Sequence, residues 1–282
     1  MSAGLRGWGS GPAERLPKLV LLLLLLVGIA VGCATARPPS PDLSPEQRRI
    51  DRLLVEIHLP EYAGRLEAAA LRVAGHPDDI DLAEDLRLRP RIEKQLAPDA
   101  VVSDVVRSVS ESFDEAAVSQ IERFGASAVG RRVHEASGAP YSWLSRLGYR
   151  IFGAPDREPR ERVALARRLD ELTLSSQTTV ELYLRVYEAM VRWYLVRGFV
   201  DLEENEAVGG IGGLLARERR RVEAIGEQHG VPFTLYAFSD LSTPELAEYV
   251  ALVESPAGQW YAKAVREALI ETIDRRCEEI RR

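Results

Sequence analysis

Cysteine is scarce in this chain: 282 residues carry only Cys33 and Cys277. No disulfide framework can hold it, so stability must come from an ordinary core. Excess positive charge is lacking too. The formal net charge is −6, which gives no electrostatic footprint for nucleic acid and no gain from an anionic membrane surface. Clean apolar/polar alternation bounded by hairpin-type turn pairs is absent, and with it the pattern of a β-sheet protein. No apolar run reaches the roughly 20 residues of an ordinary membrane span.

Metal and nucleophile patterns are equally sparse. His76-Pro-Asp-Asp-Ile-Asp-Leu-Ala-Glu-Asp85 gathers a histidine and five carboxylates. It has neither the Asp-x-Asp-x-Asp-Gly order of a calcium loop nor the i,i+4 histidine pair of a zinc helix. A solvated acidic helix start, favoured by the macrodipole, accounts for it better. His58, His134 and His229 stand far from any Ser or Cys at a nucleophile spacing. Val208-Gly-Gly-Ile-Gly-Gly213 is no dinucleotide fingerprint, because no strand precedes it. Gly209 and Gly213, four apart, suit a close helix crossing or a helix break instead. No catalytic residue, metal ligand or cofactor is assigned.

What is present begins at the N-terminus. Arg6, Arg15 and Lys18 precede an apolar run from Leu19 to Val31, and Val31-Gly32 leads into Cys33. A basic start, a short apolar core and a small-residue exit make a secretory signal peptide over residues 1–32. Ala30-Val31-Gly32-Cys33 resembles a bacterial lipobox, with Ala30 where Leu is commoner. The resemblance implies cleavage after Gly32, diacylglycerol on the Cys33 thiol and acylation of the new N-terminus. The competing reading is an uncleaved anchor helix with an incidental cysteine.

One acyl chain holds a protein to a membrane only marginally; the three of a mature lipoprotein make attachment permanent. Ala34 lacks the Asp that commonly retains such proteins in the inner membrane, which favours the periplasmic leaflet of an outer membrane in a Gram-negative host. Cleavage removes Arg6, Arg15, Lys18 and Glu14, leaving 34 basic against 42 acidic side chains and a net charge of −8. It also leaves Cys277 as the one free thiol, so no intrachain disulfide is available.

Residues 33–44 hold three prolines and read as an extended tether of some 30 Å at the polyproline rise. Ser44-Pro45-Glu46-Gln47 then starts a helix, with Ser44 as cap, Pro in the first turn and Gln three residues on. Everything beyond reads as all-α, a bundle of antiparallel helix pairs. An N-terminal module over 45–138, a connector over 139–160 and a C-terminal module over 161–282 divide it.

Val180 to Val196 is the clearest helix. Its charges, Glu181, Arg185, Glu188 and Arg192, fall in one stripe, and the rest is apolar. Each Glu stands four residues before an Arg, the favourable order for pairing along one helix. A helix apolar on most of its circumference is a central one. The last helix, about Pro256 to Ile280, carries a seam of Tyr261, Val265, Leu269, Ile273, Cys277 and Ile280. Cys277 lies in that seam as a small buried hydrophobe; the sharper alternative is an exposed thiol joining two copies by a disulfide.

Two stretches resemble each other without gaps: Asp114 to Ala136 and Ser242 to Ala264. Apolar positions match at Val118/Leu246, Ile121/Tyr249, Phe124/Leu252 and Val133/Tyr261; Ser127/Ser255 and Gly130/Gly258 are identical. Each stretch reads as a helix, a Ser that ends it and caps the next, and a Gly one turn in, where a neighbouring backbone comes close. Internal duplication explains this pattern; chance similarity of two amphipathic helices is the rival.

Leu235-Tyr236-Ala237-Phe238-Ser239-Asp240-Leu241-Ser242-Thr243-Pro244-Glu245-Leu246, followed by Glu254-Ser255-Pro256-Ala257-Gly258-Gln259, resembles the core pattern of the bacterial domain-of-unknown-function 2059 family. The shared features are a Tyr, a Thr-x-x-Leu helix start with Glu before the Leu, and Ser-Pro-x-Gly-Gln opening the last helix. The likeness covers about 230–265, and Leu252-Val253 departs from the Phe-Tyr common there. It implies a helical fold in an exported protein and no particular chemistry. Two functions fit: a lipid-anchored, non-catalytic module that binds an envelope protein or an amphiphile, or a periplasmic hydrolase whose carboxylates and histidines converge only in the fold.

Overall fold

The structure, a computed structural model, describes residues 43–74, 82–137, 155–196 and 210–282. Among these residues the chain is all-α, without strands. Helix α1 spans Pro45–Glu56, α2 Leu59–Ala74, α3 Leu82–Gln95, α4 Pro98–Glu111, α5 Glu115–Gly125 and α6 Ala128–Ser137. A 3-10 turn at Pro155–Arg157 precedes α7 (Arg160–Thr173), α8 (Ser175–Val196), α9 (Gly210–Ala237), α10 (Thr243–Glu254) and α11 (Pro256–Arg281). None of these helices is long and apolar enough to cross a membrane. Gly32, Cys33 and the tether up to Asp42 lie outside the described residues, as do His76 to Asp81.

Helix starts follow local chemistry. Ser44 Oγ accepts from the Gln47 amide at 3.2 Å, and the Gln47 side chain accepts from the Ser44 amide at 2.9 Å. That reciprocal box satisfies two amides at the start of α1. Helix α4 shows packing overriding propensity. Val101, Val102, Val105, Val106 and Val109 form one buried face, although β-branched residues are middling helix formers in isolation.

The largest core joins α1 to α5 with α8 and α11. It includes Ile50, Leu88 and Val105 from the first half and Met190, Trp193 and Ile273 from the second. The boundary drawn through 139–160 therefore does not divide the core, because α11 packs on α3, α4 and α5 as well as on α8 and α10. A second core sets α9 against α8 and α2, and a third gathers α6, α7, α10 and the end of α9.

Helix α8 is deeply buried: Leu182, Ala189 and Trp193 are 0% exposed and Met190 1%. It packs chiefly on α11 and α9. Its charged stripe behaves only partly as the spacing predicts. Arg192 donates to Glu188 at 2.8 Å, but Glu181 pairs with Arg266 at 3.2 Å and Arg185 with Asp274, both on α11. Partners on a neighbouring helix displace the Glu181–Arg185 pair because the stripe faces α11 instead of open water.

Of the glycine-rich stretch, Gly209 lies outside the described residues. Gly210, at φ 62°, occupies the left-handed region open to glycine at the first described residue of α9, and a Cβ on Gly210 or Gly212 would meet nothing within 4 Å. The close approaches come later in α9. At Gly226 a Cβ would meet Val180 at 3.0 Å, and at Gly230 it would overlap the Ser176 hydroxyl.

Candidate functional site

The two Ser-x-x-Gly corners share one construction. Ser127 Oγ accepts from the Gly130 amide at 2.9 Å, opening α6; Ser255 Oγ accepts from the Gly258 amide at 3.2 Å, opening α11. Both glycines are buried. A Cβ on Gly130 would overlap the carbonyl of Phe124, and one on Gly258 that of Leu252. In each case the obstacle is the backbone six residues earlier, at the end of the preceding helix. Asp114 and Ser242 cap the first helix of each pair by accepting from Ala117 and Glu245 amides.

The pairs also exchange contacts. Helix α5 packs on α11, and α6 on α10. Trp260 Nε1 donates to the Ser112 carbonyl at 3.0 Å, and the Arg132 guanidinium donates to the Asp240 carbonyl. In the gapless alignment Arg132 matches Trp260, and at the same offset, two residues before the aligned stretches begin, Ser112 stands opposite Asp240. Each pair's second helix thus grips the backbone ahead of the other pair's first helix. Such reciprocity is what an approximate two-fold axis requires. Helix α8 lies against α11, not between the pairs.

Arg162, 6% exposed, strengthens the C-terminal pair. It donates to the carbonyls of Phe238 and Leu241, each at 2.6 Å, and pairs with Glu158 at 3.3 Å. A buried guanidinium with its donors on carbonyls and a carboxylate is a structural clamp.

Of the four histidines, the fold brings two together. His58 forms the elbow between α1 and α2, and His134 lies near the end of α6. Their rings stack at 4.7 Å with 8° between planes. His58 Nε2 lies 3.1 Å from the His134 carbonyl, and His134 Nδ1 2.6 Å from the Glu56 carbonyl. A carbonyl only accepts, so each of these nitrogens carries a proton. Glu61 stands 3.8 Å from His58 Nδ1. The remaining lone pairs lie in two parallel ring planes and do not converge on one point. Among the described residues no group of His, Cys, Asp or Glu could hold a metal ion. His229 sits half-buried on α9, its imidazole pushed down by burial.

A second polar cluster escaped the sequence reading. Glu218 on α9 is 6% exposed. The Tyr183 hydroxyl donates to it at 2.9 Å, and Arg221 lies 3.5 Å from its other oxygen. Burial, with the Glu218 charge, raises the Tyr183 phenol far above its usual range and pushes Tyr187 up to about 12. Both remain protonated at neutral pH, and Tyr183 serves as a hydrogen-bond donor, not a base. The adjoining cavity, lined by Leu66, Ala69, Tyr183, Val186, Tyr187 and Met190, measures about 10 Å³, room for about one water. The only sequence signal for Glu218 was one acid inside Arg-Glu-Arg-Arg-Arg, which reads as a solvated run.

Cys277 is 0% exposed. Burial pushes its thiol up to about 12, so it stays protonated within the α11 seam. A disulfide between copies would require pulling that part of α11 from the core. Comparison with family models, with curated proteins and with solved structures gives no match to this chain.

Proposed function

We propose that this protein is a lipid-anchored helical module of the bacterial cell envelope, akin to the domain-of-unknown-function 2059 family, that binds an envelope protein or an amphiphile. The observation that carries the reading is the order of the first 47 residues: a basic start, the apolar run, Ala30-Val31-Gly32-Cys33, a proline-rich tether and a capped helix. The capping box at Ser44 agrees with a tether that ends there. A binding role is favoured over catalysis because the polar clusters spend their donors internally: the histidines on carbonyls, Tyr183 on Glu218, Arg162 on the turn before α10.

Labelled palmitate and membrane fractionation test the anchor. The wild type should incorporate label and pellet with membranes, and Cys33→Ser should do neither. A Cys33→Ser protein that is still cut after Gly32 and still pellets overturns the reading.

A further inference from the structure

The histidine stack stands outside every role described so far, and its setting is unusual. His58 has φ 58°, a left-handed conformation uncommon outside glycine, which His, like Asn and Asp, adopts more readily than other side chains. The elbow is held there by the His58 amide donating to Val55 at 3.0 Å and the Tyr62 amide donating to His58 at 3.0 Å. Among the described residues, the His58–His134 contacts and their two carbonyl bonds tie it to the end of α6.

We propose that this stack is a proton-sensitive latch, closed when it carries at most one extra proton and opened by the second. The neutral rings already present one N–H each to a carbonyl, so an added proton must go to His58 Nδ1 or His134 Nε2. The first has a counter-charge: Glu61, on α2, faces His58 Nδ1 at 3.8 Å. Among the described residues, the charged groups close to the second are turned elsewhere. On α1 the Glu56 carboxylate is turned over Gly125 and lies beside the Tyr261 phenol of α11. On α6 the Arg131 guanidinium is turned to the Ala126 carbonyl. Two imidazolium rings held parallel at 4.7 Å would repel with one nearby carboxylate between them. Parting the rings relieves that repulsion and releases the strained elbow.

Hydrogen exchange of the full chain at pH 7 and pH 5, corrected for the intrinsic pH dependence of exchange, reads the latch directly. Amides across residues 57–62 should exchange at least fivefold faster at pH 5 in the wild type. In His58→Asn and His134→Asn that pH dependence should vanish. Asn tolerates the left-handed backbone at 58, and at 134 its amide can still reach the Glu56 carbonyl, so both variants should fold; either alone decides the question. Equal elbow protection at the two pH values in the wild type overturns the proposal. So does an acid-induced rise that survives in the variants.

Discussion

The two helix pairs, α5–α6 and α10–α11, are built around the same corner and put to different use. In both, a serine hydroxyl caps the second helix and a buried glycine lies against the carbonyl six residues before it. Among the described residues α6 covers Ala128–Ser137, and α11 runs from Pro256 to Arg281. The part of α11 beyond the stretch that aligns with α6 carries Leu269, Ile273, Cys277 and Ile280 into the main core. One local solution thus opens a helix of the third core in one half and a helix of the main core in the other. The conserved part of the design is backbone geometry; the cost of disturbing it should depend on what hangs from it.

The glycines offer the strongest way to break this comparison. Gly258→Ala should destabilise by roughly 3 kcal/mol or more, since a backbone carbonyl cannot yield as a side chain can and overpacking alone costs about 1–3. Alanine's better helix propensity offsets up to about 1 kcal/mol of that. Gly130→Ala should cost less, roughly 1–2 kcal/mol, because α6 feeds the smaller third core and can shift with less loss of packing. Denaturant melts of both variants decide it. Equal losses would mean that the corners are equally rigid and that the core each helix feeds is irrelevant.

The distal half of α11 lies beyond the stretch that aligns with the described part of α6, and Asp104 on α4 is what fastens it. Arg276 and Arg275 approach its carboxylate at 2.5 Å and 2.7 Å, and Arg107 at 3.2 Å. Partial burial works against the charge, but the hydrogen bonds from Arg276 and Arg275 prevail and hold the carboxyl below its usual range. A depressed carboxyl contributes stability that is present above its unfolded value of about 3.9 and is lost as pH falls through the folded one. Asp104→Asn should cost about 2 kcal/mol at neutral pH. Its stability should then fall less than the wild type's between pH 5 and pH 3 in urea melts. Parallel acid limbs would show that the cluster is not what fastens this end.

How much of this could be read in the sequence differs between the two pairs for physical reasons. Ser44, Ser127 and Ser255 were legible because capping is local, a side chain closing on an amide three residues away. Helix α8 was legible because apolar residues on nearly all sides have one outcome. The partners of Glu181 and Arg185 were not, since Arg266 and Asp274 are as close in space as any intrahelical partner but remote in the chain. For the same reason the stacking of His58 on His134 and the bond from Tyr183 to Glu218 gave no signal. Close approaches at Gly226 and Gly230, spaced four apart inside a polar-looking helix, gave no signal either, since their partners Val180 and Ser176 lie on another helix.

The reciprocal grips refine the two-fold comparison at about 1 kcal/mol. Trp260→Phe removes the donor to Ser112 and should cost about 1 kcal/mol, the net worth of one hydrogen bond. Arg132→Met removes the contacts with Asp240 and Glu245. Its side chain is 46% exposed, so the expected cost is smaller, about 0.5 kcal/mol. If the two grips fasten the same interface, the double variant should lose less than the sum of the singles, because the first break already loosens what the second would hold. Strict additivity in thermal melts would separate them into independent surface contacts.

The smallest effect tests the corners themselves. Ser127→Ala and Ser255→Ala each remove one cap, worth about 1 kcal/mol. The two serines differ in two respects: Ser255 Oγ also accepts from the Gln120 side chain of the other pair at 3.2 Å, and its hydroxyl donates to the Leu252 carbonyl at 2.6 Å. Ser255→Ala should therefore exceed Ser127→Ala by a few tenths of a kcal/mol, the share of partly solvated hydrogen bonds. Gln120→Ala supplies the check. In that background the gap between the two serine variants should shrink to what the Leu252 bond adds. A gap unchanged without Gln120 would place its origin at the corner itself and not in the contact between the pairs.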